Sequence, residues 1–520
     1  MTSISRSPAR QLRTGEGDNF FQRLTRDWQM YLDKELFILP NQQGMTYRVA
    51  LDRTQRLAAT LVTLGVKPGD RVAVQVDKSP TAVLLYLACL QMGGVYLPLN
   101  TSYTQAEIGY FINDAEPQLF VHRPDFKPEF IYDNVHMKLA TLDANGTGSL
   151  TYHLDKIEPL SVVKNVSADD LASILYTSGT TGRSKGAMLS HGNLSSNCQA
   201  LIDCWQFGEQ DVLIHALPIF HIHGLFVACN MILASTASMV FLTSFKAQEV
   251  LEYLPQATVL MGVPTFYTRL LKDPNLGNDS CQHMRLFVSG SAPLSVDAHE
   301  QFKQRTGQTI LERYGMTETG MICSNPYDGE RKAGTVGLPL AGVEIRIVDR
   351  VTATKLAHGE VGIIEVRGPN VFKGYWRMPE KTAEEFRNDG FFVTGDLGRI
   401  DEDGYLQIVG RDKDLVISGG YNIYPKEVES QIDVLPGVIE SAVIGLPHED
   451  FGEAVTAVVV LAPDALLQDV DIKVQIAVSL AKYKQPKRVI IIDALPRNTM
   501  GKVMKNELRN IYADLYHTVK

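Results

Sequence analysis

Short, unbroken apolar runs alternate along this chain with stretches whose apolar residues recur every three or four positions. The runs at 71–76 (RVAVQV), 95–99 (VYLPL), 170–177 (DLASILYT), 211–217 (DVLIHAL), 238–242 (SMVFL), 257–263 (ATVLMGV), 284–290 (MRLFVSG) and 309–315 (TILERYG) predict buried strands. Helical spacing predicts helices between them, clearest near 80–92 and 104–115. Such alternation builds parallel sheets covered by helices. Between 335 and 411 the pattern shifts to short strands with Gly-rich turns (GVEIRIV, GEVGIIEVRG, GYLQIVG), which predicts a smaller β-rich subdomain. From 412 onward a helix (425–433), two strands (438–446, 453–461), a helix (471–482), a strand (488–493) and a last helix (503–515) predict a separate α+β domain. The expected fold is α/β: a large N-terminal domain over 19–411, made of helix-covered sheets with a β-rich subdomain, and a small C-terminal α+β domain over 412–520.

Composition narrows the function. A chain of 520 residues exceeds one hydrophobic core, in keeping with two domains. A net charge of -9 argues against a nucleic-acid partner, which needs a basic face. The six cysteines (Cys89, Cys198, Cys204, Cys229, Cys281, Cys323) have no metal-ligand spacing and read as reduced, mostly buried thiols. Residues 224–244 carry no charge, but Asn230, Ser235, Thr236, Ser238 and Thr243 interrupt them. A membrane-spanning helix wants about 20 predominantly apolar residues, so a buried helix followed by a buried strand is expected and no membrane span. Residues 1–15 hold Arg6, Arg10 and Arg13 with several serines and no acid. We read 1–18 as a disordered extension of a cytoplasmic chain, with a mitochondrial or plastid address left open by that composition.

The densest chemistry lies at 176–186, YTSGTTGRSKG. A buried strand runs into a loop where Gly179 and Gly182 let backbone N–H groups approach an anion. Thr177, Ser178, Thr180, Thr181 and Ser184 add hydroxyl donors, and Arg183 and Lys185 add charge. A polyphosphate suits this loop. It is not a Walker A loop, because Ser184 stands where that motif has Gly before Lys.

This segment resembles the signature loop of the adenylate-forming superfamily, which contains acyl-CoA synthetases, peptide-synthetase adenylation domains and luciferases. Ser184 departs from the Pro that many members carry. Other motifs of the superfamily follow in order. ERYGMTE (312–318) resembles the element that stacks an aromatic ring on adenine; the resemblance gives Tyr314 that role, Thr317 the α-phosphate and Glu318 a Mg²⁺ ion. TGD (394–396) and GRDKD (410–414) resemble the ribose clamp, with Asp396 and Arg411 on the sugar. PRNTMGK (496–502) resembles the catalytic lysine motif, with Lys502 as the lysine. Lys413 falls at the family's hinge, and Gly419 and Gly420 lie in the segment that meets the thiol. The resemblance therefore implies a mobile C-terminal domain, ATP and coenzyme A as co-substrates, Mg²⁺ as cofactor, and two half-reactions: acyl-AMP formation, then thiolate attack that expels AMP.

The strings YLPLNTSYT, DVLIHALPIFHIHGLFVA, TVLMGVPTFYTRLL, MRLFVSGSAPL, GPNVFKGYWRMPEKT and LPRNTMGKV are most similar to malonyl-CoA synthetases, which implies malonate, and methylmalonate beside it, as the acid. A dicarboxylate brings a second negative charge into the acyl pocket, and burying it unpaired is costly. The pocket must then hold a cation, and arginine suits a carboxylate. Arg269 is the first candidate and Arg285 the second. By resemblance His221, Ser291 and Met316 line the same pocket, with Met316 keeping it short. A short-chain or aryl acyl-CoA ligase shares this chemistry. An adenylation enzyme that loads a carrier protein, and a non-catalytic ATP-binding protein, remain as further readings. The presence of Glu318, Asp396, Arg411 and Lys502 together argues against the last.

Overall fold

A computed structural model of the protein describes residues 17–40, 42–129, 136–177, 184–498 and 502–516. The chain divides into two compact units, one of residues 1–344 and 366–392, the other of residues 345–365 and 393–520. The second unit thus takes in most of the β-rich segment as well as the tail beyond 412.

The first unit holds two sheets. In the six-stranded one, Lys138–Thr141, Leu119–His122, Arg71–Gln75, Val95–Pro98 and Leu171–Thr177 run parallel, and Lys185–Ser190 closes the edge antiparallel to Leu171–Thr177. In the nine-stranded one, Glu35–Ile38, Ser238–Phe241, Val212–His215, Val259–Gly262, Leu286–Ser289 and Ile310–Met316 form the parallel centre. Met45–Thr46 at one end, and Gly320–Ser324 with Leu338–Pro339 at the other, add antiparallel edges. The predicted parallel strands are present. The antiparallel edges are additions; the connections at Met45–Thr46, Lys185–Ser190 and Gly320–Ser324 are too short for a crossover.

Helix Pro80–Gln91 has Ser79 as N-cap and Pro at its first position. It is buried from Thr81 to Gln91, so it is an interior layer rather than an amphipathic cover. Helix Gln105–Ala115 starts on a Thr104/Glu107 capping box. The charge-free stretch folds as a π-helix, His223–Cys229, then helix Asn230–Ala234 and strand Ser238–Phe241. Among the described residues no helix is long and apolar enough to cross a membrane.

A four-stranded sheet (Glu344–Val348, Gly362–Arg367, Phe392–Ile400, Leu406–Arg411) lies mostly in the second unit. The tail forms a sheet around the long hairpin Val438–His448/Gly452–Leu461. Alternation splits its side chains between two cores. Val443, Val455 and Val459 face helices Pro425–Asp433 and Asp469–Ile476, and Ile444, Leu446 and Val458 pack with Leu508 of helix Lys505–Ile511. Both late helices are shorter than the pattern predicts. The last one starts late because Val503 is bridged to Arg497.

Candidate active site

Strand register builds the first cluster. Thr177 and Lys185 stand opposite each other at the end of an antiparallel pair. Ser178, Gly179, Thr180, Thr181, Gly182 and Arg183 lie outside the described residues. Ser184 accepts a hydrogen bond at its carbonyl from Tyr110 Oη, 2.9 Å. A hairpin, Ile310–Met316/Gly320–Ser324, carries Tyr314 and Met316 on its first strand and Thr317 and Glu318 on its turn. Gly320 sits at φ +60°, and a Cβ there would lie 2.6 Å from Asn197 Oδ1. Asn197 pins the turn through both the N–H and the carbonyl of Met321.

The two strand pairs meet at Glu318. Thr177 Oγ1 lies 3.4 Å from Glu318 Oε1, and Tyr375 Oη donates to the same oxygen at 3.2 Å. Tyr375 Oη also lies 2.6 Å from Glu385 Oε2, and Lys185 Nζ is 2.8 Å from Glu385 Oε1 and 4.1 Å above the Tyr375 ring. Burial pushes the Glu318 carboxyl above its usual range. Burial, the largest single influence, would do the same to Glu385, but the hydrogen bonds from Lys185 and Tyr375 and the charges of Lys185 and Lys381 together outweigh it and hold that carboxyl low. The sequence pointed to Thr177, Lys185 and Glu318. It missed Tyr375, which sits in a string read only for substrate class, and Glu385, which has no motif.

The expected acyl-pocket residues separate. His221 Nδ1 accepts from the His223 N–H at 3.3 Å, at the entry to the π-helix. Ser291 adopts φ +70°, rare for a side chain other than glycine, and its Oγ lies 3.4 Å from His223 Nδ1. Met316 is half-buried at the end of its strand. Arg269 is exposed on helix Pro264–Leu270 rather than enclosed. Arg285 is enclosed but already matched: its Nε and Nη2 each lie 2.7 Å from Asp211, and Nη1 donates to the Trp205 carbonyl at 2.9 Å. Burial, the largest single influence, would lower its pKa, but the hydrogen bond and charge of Asp211, with Tyr327, together raise it. That fork is spent on the fold, which corrects its candidacy as a substrate ligand.

A buried cation that the sequence reading did not single out is Arg313, in the ERYGMTE motif. It is 4% exposed, and its Nε and Nη2 are buried without a hydrogen-bond partner. Burial without a counter-charge lowers its pKa to about 9. Gly290 makes room for it, since a Cβ at Gly290 would lie 2.4 Å from the Arg313 Cζ. His223 is buried with Nε2 unpartnered, and its pKa is driven down by burial and then by the Arg313 charge. His223, Ser291 and Arg313 therefore form one electropositive, under-satisfied cluster.

The remaining residues share the second unit. Asp396 and Arg411 are paired across adjacent strands, and Arg411 Nε lies 2.7 Å from Asp396 Oδ1. Lys502 is exposed in total area, yet its pKa is lowered by burial of its amine and then by the Arg411 charge. Lys413 is lowered by burial too, with Asp414 opposing that shift and Arg411 adding to it. The structure so brings Asp396, Arg411, Lys413 and Lys502 together. Gly419 and Gly420, at φ +58° and +81°, form the turn between Val416–Ser418 and Tyr421–Ile423. A two-residue hairpin turn with both residues left-handed calls for glycines, a reason for them that needs no ligand.

Thr177 beside the buried carboxylate of Glu318, Lys185 opposite Thr177, and, in the second unit, the Asp396–Arg411 pair with Lys502 are compatible with a nucleotide-using enzyme of the adenylating type. Residues 24–376 match the family model of the AMP-binding enzymes, and residues 427–502 match that of the AMP-binding enzyme C-terminal domain. The chain belongs to the AMP-binding enzyme family. It is 36% identical to a malonate–CoA ligase of Arabidopsis thaliana, over 86% of this chain and 78% of that one. It is 35% identical to a feruloyl-CoA synthase of Amycolatopsis, over 90% and 94%. Among solved structures it is similar to ATP-bound MatB from Rhodopseudomonas palustris, with 54% identity, a TM-score of 0.94, and coverage of 96% of this chain and 100% of that one.

Proposed function

We propose that the chain ligates malonate to coenzyme A in an ATP-dependent, AMP-forming reaction, with malonyl-CoA, AMP and pyrophosphate as products. The observation that carries the choice of acid is Arg313. A buried guanidinium with two unpartnered N–H-bearing nitrogens is costly. A fatty or aryl acid offers it nothing, whereas the distal carboxylate of malonate pairs with it. His223 and Ser291 would add hydrogen bonds to that carboxylate. Malonate–CoA ligases among the relatives support the same reading.

In the first half-reaction a carboxylate oxygen of malonate attacks the α-phosphorus of ATP, and pyrophosphate leaves. Lys185 and the loop hydroxyls would bind the phosphates. Tyr314 would stack on adenine, Asp396 and Arg411 would hold the ribose, and Thr317 would meet the α-phosphate. Lys502 would stabilise charge on the phosphoryl and carboxylate oxygens in the transition state. Glu318, a buried carboxylate with the Thr177 hydroxyl at 3.4 Å, fits a Mg²⁺ ion, which neutralises phosphate charge when bound and typically takes few protein carboxylates. In the second half-reaction the thiolate of coenzyme A attacks the acyl carbon and AMP leaves. The segment around Gly419 and Gly420 would guide the thiol, with rotation near Lys413 between the steps.

The test is AMP release by the purified protein with ATP, Mg²⁺ and coenzyme A, supplying malonate, methylmalonate, acetate, butyrate or 4-coumarate. Turnover should be strongest with malonate. Turnover confined to monocarboxylates would keep the adenylation chemistry and overturn the choice of acid.

A further inference from the structure

Three side chains outside the motifs join the two sheets of the first unit in the interior. Lys78 follows strand Arg71–Gln75 of the six-stranded sheet, and His215 ends strand Val212–His215 of the nine-stranded one. Lys78 Nζ donates to His215 Nδ1 and to the His215 carbonyl, both at 2.8 Å, and lies 4.5 Å over the Phe241 ring. His215 is 1% exposed, and its Nε2 is 2.8 Å from the carbonyl of Gly224. A carbonyl only accepts, so Nε2 carries the proton and Nδ1 is the bare acceptor that Lys78 needs. Gly224 is the second residue of the π-helix. A Cβ on it would stand 2.0 Å from the Pro218 carbonyl, so its backbone is clamped between Pro218 and His215.

This arrangement has no obvious purpose in the fold alone. Among the described residues Lys78 meets no carboxylate at ion-pair distance, and its neighbour Asp77 faces Arg123 at 3.9 Å. The enclosed amine of a half-buried lysine and a buried imidazole stand together where two apolar side chains would be less costly. The element they hold is of a rare kind that recurs at functional sites. Its first residue, His223, faces Ser291 and Arg313, and His221 stands at its entry.

We propose that Lys78 and His215 are positioning residues for the acyl substrate: by fixing the Gly224 carbonyl they set the π-helix, and with it His221 and His223, against the Arg313 cluster. The inference rests on the acyl-pocket reading above. It is independent of which acid the pocket takes. Misplacement of a contact by about 1 Å costs up to roughly 100-fold in rate, so loss of the relay should be felt in acid use rather than in ATP binding.

Lys78→Met, His215→Phe, His215→Gln and the double variant Lys78→Met/His215→Phe test it, with AMP release measured against varied acid and varied ATP. Lys78→Met and His215→Phe should each raise the KM for malonate about tenfold or more, with the KM for ATP within about twofold. His215→Gln keeps an N–H donor near the Nε2 position and should restore most of the loss. The double variant should be no worse than the poorer single one, because both act through one carbonyl. A second readout is pH. Burial lowers the Lys78 pKa to about 7, while His215 and Cys229 are the titratable groups that face it. Between that value and the ordinary lysine pKa the unfolded chain binds one more proton than the folded one, so stability gains with rising pH. Wild-type stability relative to Lys78→Met, measured by urea unfolding, should therefore rise from pH 6.5 to pH 9.5. A folded Lys78→Met enzyme with unchanged malonate KM would overturn the proposal. So would equal damage from His215→Gln and His215→Phe, and that pair decides the matter if Lys78→Met does not fold. If the wild type proves to use another acid, the same series is run with that acid; the malonate reading then fails and this one is still judged.

Discussion

Two charged clusters of the first unit are built on opposite terms. Around Glu318 every charge has a partner: Lys185 rests on Glu385, Tyr375 bridges Glu385 and Glu318, and Thr177 approaches Glu318. Around Arg313 a buried guanidinium, beside a His223 whose pKa it helps to drive down, has no carboxylate partner among the described residues. A satisfied network resists change, and a ligand enters it by exchange. An unsatisfied one is destabilising until an anion fills it. The first therefore suits a polyphosphate that displaces Glu385 from Lys185, and the second suits a substrate that brings its own negative charge to a buried cation.

The sharpest way to break this contrast is Arg313→Met. Methionine fills similar volume without charge. The kcat/KM for malonate should fall at least a hundredfold, while the KM for ATP changes little. The free protein should become more stable, by about 1–3 kcal/mol, since a buried unpaired charge is removed. Malonate should raise the melting temperature of the wild type and leave that of the variant unmoved. Calorimetry with and without malonate reads both effects. A variant that is less stable and still protected by malonate would show that Arg313 is structural.

The next test separates the two arginines first chosen from sequence. Arg285→Ala strips a bidentate partner from Asp211, which is then left enclosed with a charge to satisfy. A loss of about 3 kcal/mol is expected, with the malonate KM unchanged in the protein that remains folded. Arg269→Ala removes an exposed side chain, so stability should stay within about 0.5 kcal/mol. A rise in malonate KM for Arg269→Ala with none for ATP would place this arginine at the pocket entrance. An unchanged KM removes it from the site. Urea unfolding together with initial rates checks both variants.

How much of this was legible beforehand follows from where the information resides. Thr177 and Glu318 belong to short strings whose order alone marks them, and they do meet, 3.4 Å apart. The Asp396–Arg411 pair was legible for the same reason, being set by the register of one hairpin. Arg285 was misread because its partner Asp211 is 74 residues away and nothing local reveals it. Arg313 stood in plain view inside ERYGMTE. Its neighbours Tyr314, Thr317 and Glu318 already explained that motif, and its burial depends on Gly290 and His223, which other segments supply. Parallel strands were read correctly, since an apolar run shows burial on both faces. The antiparallel edges were not, because pairing direction depends on the connection and leaves no mark on the run itself.

The smallest expected effect tests the satisfied cluster. Glu385→Gln keeps the shape and the acceptor for Tyr375 but removes the charge that holds Lys185. The freed ammonium should meet phosphate more readily, so the KM for ATP should fall by about two- to fivefold while the malonate KM stays constant. The sign with pH is also fixed. The folded Glu385 carboxyl lies below its ordinary range because Lys185, Tyr375 and Lys381 together outweigh burial, so its pairing contributes stability above the ordinary carboxylate pKa and loses it as pH falls through the folded value. The wild type should accordingly lose its stability advantage over Glu385→Gln on acidification, read by thermal unfolding at pH 7 and pH 4. If ATP binds less tightly to Glu385→Gln instead, Glu385 is orienting Lys185 toward the phosphates rather than competing with them. The contrast between the clusters would then narrow to one feature, the lack of a carboxylate partner for Arg313 among the described residues.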